Sequence, residues 1–86
     1  MPRYRYVLEE DAATTLLALD DAQIARLLIA IENIAEDPGA RPDSYSLDAQ
    51  GRPLANQIAG PFLIGYWPEH AARKVHILRL DPLDSA

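Results

Sequence analysis

The clearest hydrophobic pattern in the chain is that of an amphipathic helix. Between Ile24 and Ala35, apolar residues recur at intervals of three and four, as one face of an α-helix requires. Asp20 or Asp21 can cap the start of this helix, and Gln23 stands where the partner in a capping box would stand. The helix must end near Asp37-Pro38-Gly39, because proline lacks an amide hydrogen and disfavours helical geometry in the residue before it.

The segments on either side of this helix predict a strand and a short helix before it and three strands after it. Residues 3–8 alternate between two unlike faces, which predicts a first strand. Acidic residues at 9–11, followed by small and aliphatic ones, predict a short first helix. Strand-like runs follow at 54–59, 62–67 and 74–80, with turns at Gly60-Pro61 and at 68–72.

Residues 38–53 are rich in glycine, proline and serine, and they predict a loop with at most a short extended piece from Tyr45 to Leu47. A connection this long is a candidate contact surface. The predicted order defines an α+β fold, β-α-α-β-β-β, in one domain spanning residues 1–86. In this fold a helical hairpin packs on one face of a mainly antiparallel sheet that ends in a three-stranded antiparallel meander.

Charge and composition narrow the classes of function. The chain has 86 residues and a formal charge of −5, from 8 basic and 13 acidic residues. This balance weighs against direct binding of nucleic acid, for which lysine and arginine supply most non-specific affinity. We find no apolar run long enough to span a membrane and no signal-peptide pattern at the start, so we expect a cytoplasmic protein. With no cysteine, disulfides and zinc–cysteine sites are excluded.

Three short motifs follow one another in a recognisable order. The helical hairpin ends in Ile34-Ala35-Glu36-Asp37-Pro38, a later strand opens with Gly60-Pro61-Phe62-Leu63-Ile64-Gly65-Tyr66, and the last strand reads Val75-His76-Ile77-Leu78-Arg79-Leu80. Together with the first strand, this layout resembles the RelE/ParE superfamily of type II toxin–antitoxin systems over nearly the whole chain. The resemblance implies a RelE/ParE-like fold, a toxin-side role of the kind linked to plasmid stabilisation, and a cognate antitoxin that lays an extended or helical segment over the hairpin and sheet.

The sequence departs from the family at its ribonuclease positions. Members that cleave ribosome-bound mRNA typically carry a Tyr-Arg pair where this chain has Phe62-Leu63, and lysines where it has Ala55-Asn56-Gln57-Ile58. They also end the last strand with histidine or arginine, whereas Asp81-Pro82-Leu83-Asp84 follows here. Such groups orient the 2′-hydroxyl and stabilise charge developing on the phosphate, which leucine cannot do. The resemblance therefore favours a ParE-like action on DNA gyrase over mRNA cleavage.

Two alternatives stay open at this stage. A ribosome-dependent mRNA endoribonuclease would have to rely on the unusual set Arg52, Arg73 and Arg79, which are the only catalytic candidates. A non-catalytic interaction module would retain the fold and could form a homodimer through an exposed sheet edge.

Partner contacts are predicted at Tyr66, Trp67 and Arg26, because aromatic side chains and arginine supply much of the energy of protein interfaces. No cofactor and no metal is predicted. The two histidines, His70 and His76, fall on different predicted elements, and structural or solvated roles explain them.

Overall fold

The computed structural model describes residues 3–83, which form two helices and one five-stranded sheet. The elements in chain order are β1 (Arg5–Leu8), α1 (Glu10–Leu17), α2 (Asp21–Glu36), β2 (Ser44–Leu47), β3 (Pro53–Ala59), β4 (Phe62–Glu69) and β5 (Lys74–Pro82). No helix in this range is long and apolar enough to cross a membrane.

The sheet has the strand order β1-β5-β4-β3-β2. Strands β2 to β5 form an antiparallel meander, and β1 lies parallel to β5 at one edge, with Tyr6 opposite Val75. A bulge at Gly65 and Tyr66 shifts the register between β4 and β5, so that Leu78 is the extra residue on β5. The predicted α+β class, with a helical hairpin on one face of the sheet, is confirmed.

The meander has four strands, so the prediction of three was wrong. The extended piece expected at 45–47 is β2, which pairs with β3 from Ser44 to Leu47. Two side chains support this pairing. Asn56 donates to Ser46 Oγ at 3.1 Å, and Asp43 Oδ2 accepts from the Ile58 amide at 2.7 Å. These contacts depend on residues ten or more positions away, so the local pattern does not reveal the strand.

The second hairpin turn also lies later than predicted. Strand β4 continues through Pro68 to Glu69, and the turn occupies 70–73, where Arg73 has a positive φ of 54°. Proline is tolerated in β4 because the pairing with β3 ends at Tyr66, so this part of the strand has one neighbour. The turn at Gly60 and Pro61 lies where it was predicted, and Gly60 supplies the positive φ of 59° that this turn requires.

Helix α2 begins and ends as its sequence predicts. Asp20 Oδ1 accepts from the Gln23 amide at 2.8 Å, and Gln23 Oε1 accepts from the Asp20 amide at 3.3 Å, which completes the capping box. The helix ends at Glu36, before Pro38.

The hydrophobic core lies between the two helices and one face of the sheet. Its central members from α2 are Leu27, Ile31 and Ile34, which are 6% exposed or less. The remaining buried members are Ala12, Leu16, Phe62, Ile64, Tyr66, Val75, Ile77 and Leu80. Full burial of an aliphatic side chain contributes about 1.5–3 kcal/mol, so this contact is the main source of stability.

Candidate functional site

The face of the sheet turned away from the helices, called here the far face, carries most of the charged side chains of the central strands. Side chains alternate between the two faces of a strand, so the residues of β4 and β5 that stand between core residues have their side chains on the far face. The cross-strand pairs there are Leu63 with Asp81, Gly65 with Arg79, Trp67 with His76, and Glu69 with Lys74.

His76 is held at the centre of a polar cluster on the far face. Its Nε2 lies 2.8 Å from Glu69 Oε1, and its Nδ1 lies 3.8 Å from Glu9 Oε2. The ring also stacks on Trp67, with centroids 4.5 Å apart and planes 14° apart. The two carboxylates approach opposite ring nitrogens, so the three groups cannot ligate one ion together. Among residues 3–83, no three potential ligands are grouped to hold a metal.

Arg79 is neutralised by a carboxylate on its own strand. Its Nε donates to Asp81 Oδ2 at 2.9 Å, and both side chains are about half exposed. Gly65 lies opposite Arg79, and a Cβ there would make ordinary van der Waals contact with the Arg79 Cβ at 3.4 Å. The guanidinium of Arg79, one of the three catalytic candidates, is therefore paired with an aspartate two residues later on β5.

Arg52 serves the turn between β2 and β3. Asp48 Oδ1 accepts from the backbone amides of Gln50 and Arg52 at 2.9 and 2.8 Å, while Asp48 Oδ2 accepts from Arg52 Nε at 2.7 Å. The hydrogen bond from the Arg52 amide is the main reason that the pKa of Asp48 is lowered, and the remaining bonds from Arg52 and Gln50 add to it. Gly51 supplies the positive φ of 80° in this turn. The arrangement explains Arg52 as a structural residue.

Arg73 lies far from Arg79. It occupies the turn before β5, where its amide donates to the His70 carbonyl at 3.3 Å and its carbonyl accepts from the Arg5 amide at 3.0 Å. Arg79 is six residue steps further along the chain, which is roughly 20 Å at about 3.4 Å per residue of strand. Arg52 lies beside Trp67 at a third position. The structure therefore does not bring the three arginines together.

The predicted partner residues divide between the two faces of the sheet. Tyr66 is 2% exposed and lines a cleft of about 410 Å³ between α2 and β3. Arg26 lies on the same side of α2, with its Cδ 3.5 Å from where a Cβ on Gly60 would lie. Trp67 lies on the far face with His76. This α2–β3 cleft is lined by Ala30, Asn33, Ile34, Asp37, Ala40, Arg41, Gln57, Ile58, Ala59 and Tyr66.

The phenol of Tyr66 is the perturbed group of this cleft. Burial raises the pKa of Tyr66 above its usual value, and the nearby Tyr45 and Asp43 raise it further. Tyr45 itself is 70% exposed on the edge strand β2, next to Leu47 at 65%. The sequence predicted a loop here with at most a short extended piece from Tyr45 to Leu47, and it did not predict that this piece forms the exposed edge of the sheet. Two apolar positions separated by one serine were the only signal that could have identified them.

The fold is similar to chains from two solved toxin–antitoxin complexes. For the archaeal RelE–RelB complex from Pyrococcus horikoshii OT3, the TM-score is 0.76 at 19% identity, covering 99% of this chain and 100% of that chain. For the complex RelBE2 from Mycobacterium tuberculosis, the TM-score is 0.75 at 18% identity, covering 94% and 99%. No protein-family model matches the sequence, and no curated protein sequence matches it. The RelE-type toxin fold that the sequence resemblance predicted is confirmed.

Proposed function

We propose that this chain is the toxin-side component of a type II toxin–antitoxin pair, acting in the cytoplasm without cleaving RNA. The observation that carries the proposal is the RelE-type fold, which matches chains from two toxin–antitoxin complexes over nearly their whole length. The far face supports the second half of the proposal, because its charges are arranged differently from those of a nuclease.

Ribonuclease action would need cations or proton donors directed at a scissile phosphate. On the far face, the Arg79 guanidinium is bound to Asp81, and Leu63 stands opposite Asp81. His76 is 17% exposed and lies between two glutamates. With a formal charge of −5 for the chain, these pairings leave the face with little attraction for an RNA backbone.

The proposed partner is a cognate antitoxin, and the α2–β3 cleft fits a segment of such a protein. The cleft is open, and its walls include Ala30, Ile34 and the buried ring of Tyr66. Ile58 at its border is 50% exposed, and Arg26 stands one helical turn before Ala30. An amphipathic helix or extended segment that places apolar side chains here and an acidic one near Arg26 would bury apolar surface and pair the charge.

The proposed target is DNA gyrase, as for ParE-like members of the superfamily that the sequence resembles. A protein that inhibits an enzyme by binding to it needs a complementary surface and does not need catalytic cations. The paired charges of the far face are compatible with such a mode of action. The second candidate function, a non-catalytic interaction module, is favoured by the same neutralised charges and differs in having no toxic effect.

The test is induction of this chain alone in a bacterial host, with growth, newly made protein and plasmid supercoiling followed together. Growth arrest with altered supercoiling and initially intact translation supports the proposal. Growth arrest with immediate loss of translation would support the ribonuclease hypothesis instead. No growth arrest from soluble, folded protein would favour the interaction module. Arg79→Ala should still arrest growth, as should the control Arg3→Ala, whose guanidinium lies 3.7 Å from Glu32 on α2.

A further inference from the structure

The outer edge of β2 is an unprotected sheet edge. Within residues 3–83, β2 pairs with β3 alone, and its four residues include no charge and no proline. Tyr45 and Leu47 are 70% and 65% exposed. Natural sheet edges are usually blunted by lysine, proline or a bulge, because their free backbone groups can pair with another strand.

The register shows which backbone groups are free. The Asp48 amide donates to the Arg52 carbonyl at 2.9 Å, one step beyond the Leu47–Pro53 pair, so the hydrogen-bonded pairs of this register fall at Ser46 and Ser44. Such pairs alternate along an antiparallel ladder, which directs the backbone groups of Ser44 and Ser46 toward β3. The N–H and C=O groups of Tyr45 and Leu47 therefore point away from the sheet.

This edge is complementary to itself. If a second copy pairs antiparallel to the first with Ser46 on a two-fold axis, Tyr45 lies opposite Leu47 of the second copy, and Leu47 lies opposite Tyr45 of the second copy. Each pair exchanges two backbone hydrogen bonds, which makes four in all. The side chains of Tyr45 and Leu47 project from one face of β2, so each pair also joins an aromatic and an aliphatic side chain, a stabilising cross-strand combination.

The acidic residues that flank β2 do not oppose this pairing. Asp43 Oδ2 accepts from the Ile58 amide at 2.7 Å within its own sheet. The Asp48 side chain is 8% exposed and binds Arg52. Both carboxylates are turned back onto their own chain, so the remaining repulsion between two copies is the long-range effect of the net charge, which salt screens.

We propose that two copies of this chain associate through β2 and join their five-stranded sheets into one continuous sheet. The association belongs to the isolated chain and does not depend on the proposed toxicity. Raising the ionic strength should strengthen it, because both copies are acidic.

Sedimentation of the purified full chain over a concentration series tests the proposal. The wild-type chain should sediment at twice its 9.5 kDa mass as concentration rises. Tyr45→Lys and Leu47→Glu should each weaken dimerisation by about tenfold or more, because each places an unpaired charge against an apolar side chain in both pairs. Ile29→Lys is the matched control, since Ile29 is 61% exposed on α2 and should leave the dimer unchanged.

An equimolar mixture of the Tyr45→Lys and Leu47→Glu proteins provides the register-specific test. In the mixed dimer the new lysine faces the new glutamate, and the other pair stays native, so association should recover. A mixture that associates no better than either variant alone would contradict the register. The proposal would be overturned if the wild-type chain stayed monomeric at every concentration, or if the dimer were insensitive to both substitutions. The edge of β2 would then be open to pairing with a strand of another protein.

Discussion

Replacing Ile31 by alanine tests whether the packing of α2 on the sheet holds the molecule together. Ile31 is fully buried in the core, among residues of both helices and the central strands. The substitution removes three carbon atoms, or about 2.4 kcal/mol at about 0.8 kcal/mol per methylene. A cavity adds to this loss, so we expect about 2–5 kcal/mol in total. A chain of 86 residues has a total stability of about 4–13 kcal/mol, so this is a large share of it.

Urea unfolding followed by circular dichroism measures the effect. With a slope of about 1 kcal/mol per molar urea, the midpoint of Ile31→Ala should fall by about 2 M or more while the slope stays unchanged. Ile29→Ala is the matched control, because it makes the same chemical change on the same helix at a position that is 61% exposed. Its free energy of unfolding should stay within about 0.5 kcal/mol of the wild-type value.

Equal losses in the two variants would refute the reasoning, because they would show that the buried and exposed faces of α2 are not those described. A loss for Ile31→Ala below about 1 kcal/mol would equally contradict a close-packed contact between α2 and the sheet.

Three smaller changes test local features of the structure. Asp20→Ala should lower the free energy of unfolding by about 0.5–2 kcal/mol, because the capping box is lost. Asp21→Ala is the control, since it removes no capping hydrogen bond, and an equal drop in the melting temperature of both variants would contradict the prediction. The lowered pKa of Asp48 means that its ionised form stabilises the fold above about pH 4 and that this stability disappears as pH falls through the lowered pKa. The difference in urea midpoint between wild type and Asp48→Asn should therefore shrink on acidification, and a constant difference would argue against the turn's hydrogen bonds. The raised pKa of Tyr66 means that wild type loses stability above about pH 10, where the unfolded chain ionises first. Tyr66→Phe should lose less stability in this pH range. The difference between the absorbance titrations of the two proteins should give a titration midpoint for Tyr66 above about pH 10, and a midpoint at or below that pH would contradict the burial of this phenol.

Features encoded within a few residues could be predicted from the sequence. Helix α2 was predicted with its cap because Asp20, Gln23 and Pro38 act on neighbouring backbone groups. The turn at Gly60 and Pro61 follows from the same local chemistry. These signals do not depend on distant parts of the chain, so the folded structure agrees with them.

Features that depend on distant pairing could not be predicted. Strand β2 is held by side chains from Asp43 and Asn56 acting across the β2–β3 pair, and its own four residues predicted no more than a short extended piece. The sequence predicts a turn at Pro68, and the tolerance of this proline in β4 depends on where the β3 pairing ends.

The candidate site shows the same division. Arg79 and Asp81 are two residues apart, so their contact is local. It agrees with the argument from the sequence against ribonuclease chemistry. The contact between His76 and Glu9 requires β1 to lie parallel to β5, which the periodicity of neither strand determines. The division of Tyr66 and Trp67 between two faces follows from alternation once β4 is placed in the sheet.

The central claim is that this RelE-type fold acts on a protein target rather than on RNA. The most direct measurement adds the purified chain to two reactions, DNA supercoiling by gyrase and mRNA cleavage on translating ribosomes. The account predicts that supercoiling is inhibited in proportion to added protein while the mRNA stays intact. Cleaved mRNA with unaffected gyrase would contradict it and would make Arg79 of the far face the first catalytic candidate to test.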